Sequence, residues 1–199
     1  MRKNTILFGM AAIALTLGSC GSNASEASGA DSVATADSTA TTYTVDAASS
    51  SIGWLGTHAV GTGDHHGTIG IKEGSLSLTN GEITAGSFVI DMASIKCTDS
   101  LPAEYLTKLH GHLAAEDFFN TAKFPTAKFE ITQCEVKADG DNTHFISGNL
   151  TLRDSTKNIS FPAKVTVADG VTATAKVVIN RLDWGINYDK DNMSLAEAA

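Results

Sequence analysis

Alternation of apolar and polar residues predicts that most of this chain forms β-strands. Between residues 87 and 93, Phe88, Ile90 and Met92 alternate with smaller or polar side chains, which is typical of a strand with one buried face. Asn80-Gly81 is a strong hairpin signal. Four later stretches also have the composition of strands and are separated by turn residues: 126–136, 144–153, 159–168 and 171–179.

One helical insert interrupts the strand pattern. Leucines recur near helical spacing between residues 101 and 113, and Pro102 suits the first turn of a helix. The adjacent rings of Phe118 and Phe119 follow in a stretch without alternation, and Pro125 disfavours helix at the residue before it. We therefore expect a short helix that ends near residue 112 or 113, then an aromatic hinge that leads into the next strand.

A sheet of this many antiparallel strands removes its edges by closing into a barrel or by splitting into a sandwich. A barrel of about eight strands has room for one small ligand. The inward-facing residues then form the core and also line the ligand cavity. The candidate lining residues are Trp54, Phe88, Ile90, Met92, Phe118, Phe119, Phe129 and Trp184.

Residues 1–19 have the features of a bacterial lipoprotein signal peptide. Arg2 and Lys3 form a short basic start, and the apolar run at 6–17 is too short to span a bilayer. Leu17-Gly18-Ser19-Cys20 is similar to a lipobox, in which the cysteine is acylated through its thiol. We therefore predict that Cys20 attaches the protein to a membrane.

The rest of the chain divides into a tether, a domain and a short tail. Residues 20–42 are mainly serine, alanine, threonine and glycine, a composition that predicts a flexible tether. The domain is expected at residues 43–192, with a tail at 193–199. The residues after Cys20 lack the acidic character of surface-export signals in some lipoproteins, so we expect a cell-envelope lipoprotein that faces the periplasm.

The charge of the chain limits its partners. A formal net charge of -8 disfavours nucleic acid as a partner and argues against a basic patch as the means of membrane attachment. A homodimer is compatible with the sequence.

Six histidines raise metal binding as an alternative: His58, His65, His66, His110, His112 and His144. The adjacent His65 and His66 would point to opposite faces of a strand. No set of histidines has the spacing of a closed site with cysteine or carboxylate partners. The sequence therefore predicts no metal site, and a stress-related metal or small-ligand binding module is the alternative function.

Catalytic signatures are missing from the sequence. It contains no Gly-x-Ser-x-Gly elbow, no phosphate-binding glycine loop and no Cys-x-x-Cys. Cys97 and Cys134 have no neighbouring pattern that indicates a reactive thiol. They could pair in an oxidising compartment, but sequence spacing does not give their distance. We expect a protein that is not an enzyme and has no cofactor, with the disulfide left open.

Several segments between residues 43 and 188 resemble YceI-like domains, the lipocalin-like polyisoprenoid-binding proteins of bacteria. The segments that carry the resemblance are Tyr43-Thr44-Val45-Asp46, Ser51-Ile52-Gly53-Trp54, residues 90–95, His112-Leu113, Asp117-Phe118-Phe119, Phe124-Pro125, residues 148–154, Ile179-Asn180-Arg181 and Trp184-Gly185. The resemblance implies an all-β, antiparallel barrel with a helical insert at one end and a long apolar interior that takes an isoprenoid chain. We therefore expect a lipid-anchored binding protein for a polyisoprenoid or an isoprenoid quinone.

Overall fold

A computed structural model of the protein describes residues 25–57 and 64–188. Cys20, His58, the predicted signal peptide and the predicted tail lie outside the described residues. Within them, strands dominate and one α-helix interrupts them, so the predicted all-β class with a short helical insert is confirmed. The elements are β1 (Ser28–Gly29), β2 (Thr41–Thr44), β3 (Ser51–Gly56), β4 (His65–Thr79), β5 (Glu82–Cys97), α1 (Ala103–Ala114), β6 (Thr126–Asp139), β7 (Asn142–Leu152), β8 (Ser155–Val167), β9 (Val171–Ala175) and a 3₁₀ helix (Arg181–Trp184).

The strands form one antiparallel sheet in the order β1-β8-β7-β6-β5-β4-β2, with β3 paired to β4 and β9 paired to β8. In the described part of the chain no ladder joins the β4 side to the β8 side, so the sheet is open. The predicted strand at 171–179 is shorter than expected, because its ladder ends at the pair Ala163 and Ala175. The next residue of β8 is Pro162, which has no backbone N–H to continue a ladder.

Tight turns connect the long strands. Asn80 and Gly81 both have positive φ, 54° and 86°, which is the conformation of the hairpin turn that their sequence predicts. Arg153, in the turn between β7 and β8, also has a positive φ of 56°. A non-glycine residue in this region is strained, and the Arg153 Nη1 donates a hydrogen bond to the Phe118 carbonyl that helps to hold it there.

The inner face of the sheet is apolar, and the outer face carries pairs of polar side chains. Ile131 and Ile159 are 2% exposed on the inner face. Gly148 lies directly beneath the Phe129 ring, since a Cβ at this position would be 2.3 Å from the Phe129 Cζ. On the outer face, hydroxyl groups of neighbouring strands form hydrogen bonds to each other, as in the Ser147–Ser160 contact of 2.8 Å. This alternation is what a half-buried sheet requires.

Residues 25–40, which we call the N-terminal strap, cross the polar outer face of the sheet. The Asp31 N–H donates to the Asn149 Oδ1 (3.0 Å), and the Asn149 Nδ2 donates back to the Asp31 carbonyl (2.7 Å). The Ala34 N–H donates to the Ile131 carbonyl (2.9 Å). The tether that composition predicts for residues 20–42 is therefore hydrogen-bonded to the sheet over much of its length.

Both ends of the strap are also held. The Ser25 N–H donates to the Val178 carbonyl (2.8 Å), and the Thr79 hydroxyl donates to the Asp37 Oδ2 (2.9 Å). The strap then continues into β2. Polar hydrogen bonds hold this segment. Its composition, which lacks apolar residues, therefore did not predict that it docks on the sheet.

Candidate functional site

Three of the predicted lining residues form one apolar surface on the inner face. Phe88 of β5 pairs with Phe129 of β6, and their ring centroids are 6.5 Å apart. Phe129 also contacts Phe161 of β8, with ring centroids 5.6 Å apart. Ile90 lies beside them on the same side of β5. Phe88, Ile90 and Phe129 are half-buried, whereas Met92 further along β5 is only 5% exposed and belongs to the core.

A second aromatic group closes one end of the sheet. The rings of Phe118 and Phe119 meet edge to face at 4.8 Å, and His112 of α1 contacts Phe118 at 5.5 Å. The Arg181 guanidinium lies over the Phe118 ring at 5.6 Å, a cation–π contact. The predicted aromatic hinge after α1 is therefore packed against the region of the 3₁₀ helix, which lies more than 60 positions later in the chain.

The two tryptophans have structural hydrogen bonds. Trp184 is 2% exposed, and its indole N–H donates to the Leu150 carbonyl (2.9 Å). The Trp54 indole N–H donates to the Lys96 carbonyl (3.1 Å). Trp54 lies over Gly67, where an added Cβ would be 2.7 Å from the indole nitrogen.

Two of the surface clefts in the described part of the chain include none of the predicted lining residues. One has a volume of about 270 Å³ and lies on β8 and β9, lined by Lys164, Thr166, Thr172, Ala173 and Thr174. The other, of about 290 Å³, is lined by Ser51, Thr68, Ile69, Gly70, Ser94 and Lys96. The phenylalanine rings of the inner face pack against each other.

Arg153 brings an unsatisfied donor to the aromatic end of the sheet. Its guanidinium lies 5.8 Å from the centre of the Phe124 ring, and its Nη1 donates to the Phe118 carbonyl. Its Nε is buried and has no hydrogen-bond partner. A buried donor without a partner is costly, so this N–H could serve a polar ligand atom.

A cluster of histidines and a carboxylate lies at the other side of α1, where β4 begins and β5 ends. The His65 Nδ1 is 2.6 Å from the Asp99 Oδ2, and the His66 Nδ1 is 2.6 Å from the Asp99 Oδ1. The His66 backbone N–H also donates to the Asp99 Oδ1 (3.0 Å). The hydrogen bond from His65, followed by that from Cys97, lowers the pKa of Asp99 to about 2.

Cys97 completes this cluster. One donor atom from each of His65, Cys97 and Asp99 lies within 4.8 Å of the others. The Cys97 backbone N–H donates to the Nε2 of His110 on α1 (2.8 Å), and burial raises the pKa of the Cys97 thiol. The cysteine and carboxylate partners that the sequence spacing did not reveal are therefore present.

Both His65 and His66 contact the Asp99 carboxylate, and His65 is the one that shares the donor cluster with Cys97. That the two adjacent histidines do not ligate one ion together stays a prediction. Asp99 follows the end of β5, outside the ladder, so one carboxylate accepts contacts from both neighbouring imidazoles. His144 is elsewhere, with its Nδ1 2.7 Å from the Thr143 hydroxyl. No local motif could have identified the cluster, because the pairing of β4 with β5 joins residues more than 30 positions apart.

Cys97 and Cys134 are both free thiols. Cys134 is half-buried on β6, and burial raises its pKa to about 11. Neither thiol is therefore an ionised nucleophile at neutral pH.

A family model described as "YceI-like domain" matches residues 43–198. The chain belongs to the YceI-like family. The resemblance seen in the sequence is thereby confirmed, and the match begins at the residue where the domain was predicted to start. No helix of this YceI-like chain among residues 25–57 and 64–188 is long and apolar enough to cross a membrane.

Curated relatives are similar over part of their length. A UPF0312 protein of Pseudomonas putida is 33% identical over 98 residues, which is 49% of this chain and 47% of that protein. A UPF0312 protein of Pseudomonas aeruginosa is 52% identical over 54 residues, 27% of each chain. The YceI-like chain thus spans about a quarter to a half of the length of the curated relatives it matches.

A solved structure has the same fold. A mutant of the YceI protein of Campylobacter jejuni has a TM-score of 0.50 and 23% identity, covering 72% of this chain and 83% of that one. At this identity the similarity supports the YceI fold alone.

Proposed function

We propose that this YceI-like protein is a non-catalytic carrier or binding protein that holds the chain of a long apolar lipid, a polyisoprenoid or an isoprenoid quinone, against the inner face of its sheet. The observation that carries the proposal is the row of contacting rings from Phe88 through Phe129 to Phe161, which crosses from β5 to β8. This row of rings forms an apolar surface that extends in one direction, which is the shape that a linear hydrocarbon chain requires.

The half-buried rings allow the lipid chain to reach the inner face of the sheet. Phe88 and Phe129 are less buried than Ile131 and Ile159, so they can move without disrupting the innermost core. Contacts between the rings and the bound lipid chain then replace the contacts between the rings. Each methylene that leaves water contributes about 0.8 kcal/mol, so affinity should rise with chain length.

The aromatic end of the sheet suits the polar head of such a lipid. The unsatisfied Nε of Arg153 can donate to a phosphate or carbonyl oxygen, and the guanidinium of Arg181 lies close by over Phe118. Hydrogen bonding there would fix the direction in which the lipid lies.

Membrane attachment through acylated Cys20, on the periplasmic side, fits the same role. The Ser25 N–H is hydrogen-bonded to the Val178 carbonyl, in the segment that follows β9, so only a few residues separate the anchor from the folded part. A chain of this length spans at most about 18 Å. The lipid-binding domain would therefore stay next to the bilayer that supplies its ligand.

The anchor is tested by Cys20→Ser, which should release the protein into the soluble envelope fraction. Attachment of this variant to membranes at the parental level would contradict the acylation of Cys20.

The ligand is tested with the full chain carrying Cys20→Ser. Mass spectrometry of its organic extract should detect an isoprenoid lipid, and titration with isoprenoids of graded length should give affinities that increase with length. Phe88→Arg places a charge on the apolar face and should abolish binding, because burying an unpaired charge costs several kcal/mol. The matched control is Lys128→Ala, on the outer face of the paired strand. The proposal would be refuted if the extract contained no lipid, if affinity did not depend on isoprenoid length, and if a folded Phe88→Arg variant gave the same titration as the parent.

A further inference from the structure

We propose that His65, Cys97 and Asp99 form a binding site for a divalent metal ion of the zinc class. Their donor atoms, one nitrogen, one sulfur and one oxygen, lie within 4.8 Å of one another. This site is separate from the lipid-binding face, and it does not depend on the proposed lipid function.

The donor set matches zinc in both chemistry and size. Zn²⁺ accepts cysteine sulfur, histidine nitrogen and carboxylate oxygen at about 2.0–2.3 Å in tetrahedral geometry. Ligand atoms around such an ion are therefore about 3.3–3.8 Å apart. The donor atoms that are furthest apart need to approach by up to about 1 Å, and the His65 and Asp99 atoms, now at 2.6 Å, need to separate slightly. Side-chain rotation can do this, since Asp99 lies in the connection between β5 and α1.

The surrounding residues hold the ligands in place. His66 contacts the Asp99 Oδ1 through both its ring and its backbone N–H. This leaves the Asp99 Oδ2 directed towards His65. His110 accepts the Cys97 backbone N–H and so fixes the end of β5 against α1. Carboxylates that ligate a metal ion in proteins are themselves hydrogen-bonded to outer groups, as Asp99 is to His66 here.

Burial favours a site over an exposed ion-pair cluster. Cys97 is 6% exposed and the Asp99 side chain is 10% exposed, while the His65 side chain, at 36%, connects the cluster to solvent. When the metal–sulfur bond forms, the Cys97 thiol releases its proton to solvent, and the His65 ring keeps its single proton on the nitrogen that faces away from the ion. Three protein ligands leave a fourth position for water or an external ligand.

Cobalt(II) is the probe for this site, because a thiolate bound to Co²⁺ gives a charge-transfer band and tetrahedral Co²⁺ gives intense visible bands. The full chain carrying Cys20→Ser and Cys134→Ser retains Cys97 as its one thiol. We expect one Co²⁺ per chain with both sets of bands, and loss of the bands on addition of Zn²⁺. Absence of a thiolate band from this folded protein would overturn the proposal, whatever other ions it binds.

Ligand variants define the site. Cys97→Ser should abolish the charge-transfer band, while Asp99→Asn keeps the shape of the side chain and should weaken binding. His66→Ala should weaken binding by roughly 10-fold to 100-fold, the usual cost of losing an outer partner. His144→Ala is the matched control and should bind like the parent. Circular dichroism verifies that each variant is folded, and unchanged Co²⁺ affinity in folded Asp99→Asn would also overturn the proposal.

Discussion

The N-terminal strap can be tested through Asn149, the outer-face residue that joins it to β7. The Asn149 side chain exchanges two hydrogen bonds with the backbone of Asp31 and accepts a third from the Asn158 Nδ2 (3.0 Å). Asn149→Ala removes all three. At about 0.5–1.5 kcal/mol each, the loss lies between about 1.5 and 4.5 kcal/mol. Because the backbone groups of the strap can form hydrogen bonds with water in the variant, we expect Asn149→Ala to lower the free energy of unfolding by about 2–3 kcal/mol.

Ser147→Ala is the matched control, on the same face of the same strand. It removes the side-chain hydrogen bond to Ser160 and leaves the bonds between Asn149 and the strap in place, so it should cost about 0.5–1.5 kcal/mol. Urea unfolding of the full chain carrying Cys20→Ser gives both free energies. Hydrogen exchange adds a local measurement, since the Asp31 and Ala34 amides should be protected in the parent and in Ser147→Ala, and the Asp31 amide should lose protection in Asn149→Ala.

The reasoning would be refuted by either of two results. The first is an Asn149→Ala cost no larger than that of Ser147→Ala. The second is exchange of the Asp31 amide in the parent at the rate of an unstructured chain. Either result would mean that residues 25–40 form a free tether, as their composition alone predicts, and the domain would then reach much further from an anchor at Cys20.

Two further predictions concern packing and pH. Gly148→Ala should destabilise the fold by about 1–3 kcal/mol, because its Cβ would overlap the Phe129 ring. Gly170 has open space around it, so Gly170→Ala should cost less. Equal unfolding free energies for the two variants would contradict this prediction. The pKa of folded Asp99, about 2, is below its unfolded value, so the bonds of this carboxylate add stability above about pH 4 that is lost as pH falls towards 2. Asp99→Asn should therefore show a shallower loss of stability across this range in acid unfolding measurements, and an unchanged slope would show that other groups govern it.

Local features of the fold were well predicted from the sequence. The helix was expected to end at residue 112 or 113, and α1 ends at Ala114. The hairpin at Asn80-Gly81 forms as expected, and Phe88 and Ile90 share the inner face of β5. Each of these features depends on a residue and its near neighbours, through side-chain alternation, φ preferences and turn chemistry.

The placement of the predicted lining residues was predictable only in part. Alternation put Phe88 and Phe129 on inner faces, but it could not show that their rings contact each other. It also could not separate them from Trp184, whose indole is fixed in the core by the Leu150 carbonyl. Which large apolar residue packs in the core and which remains half-buried depends on the neighbouring strands.

By itself, the sequence determined the all-β class with one helical insert, the apolar face of β5 and the family, because these follow from periodicity and from short motifs. The tertiary structure decided three things: the end of β9, the docking of the strap on Asn149, and the meeting of His65, Cys97 and Asp99. Each depends on which strands become neighbours and in what register, and β4 and β5 contain bulges that shift that register. Contacts between residues tens of positions apart arise from this pairing of strands, so no local pattern encodes them.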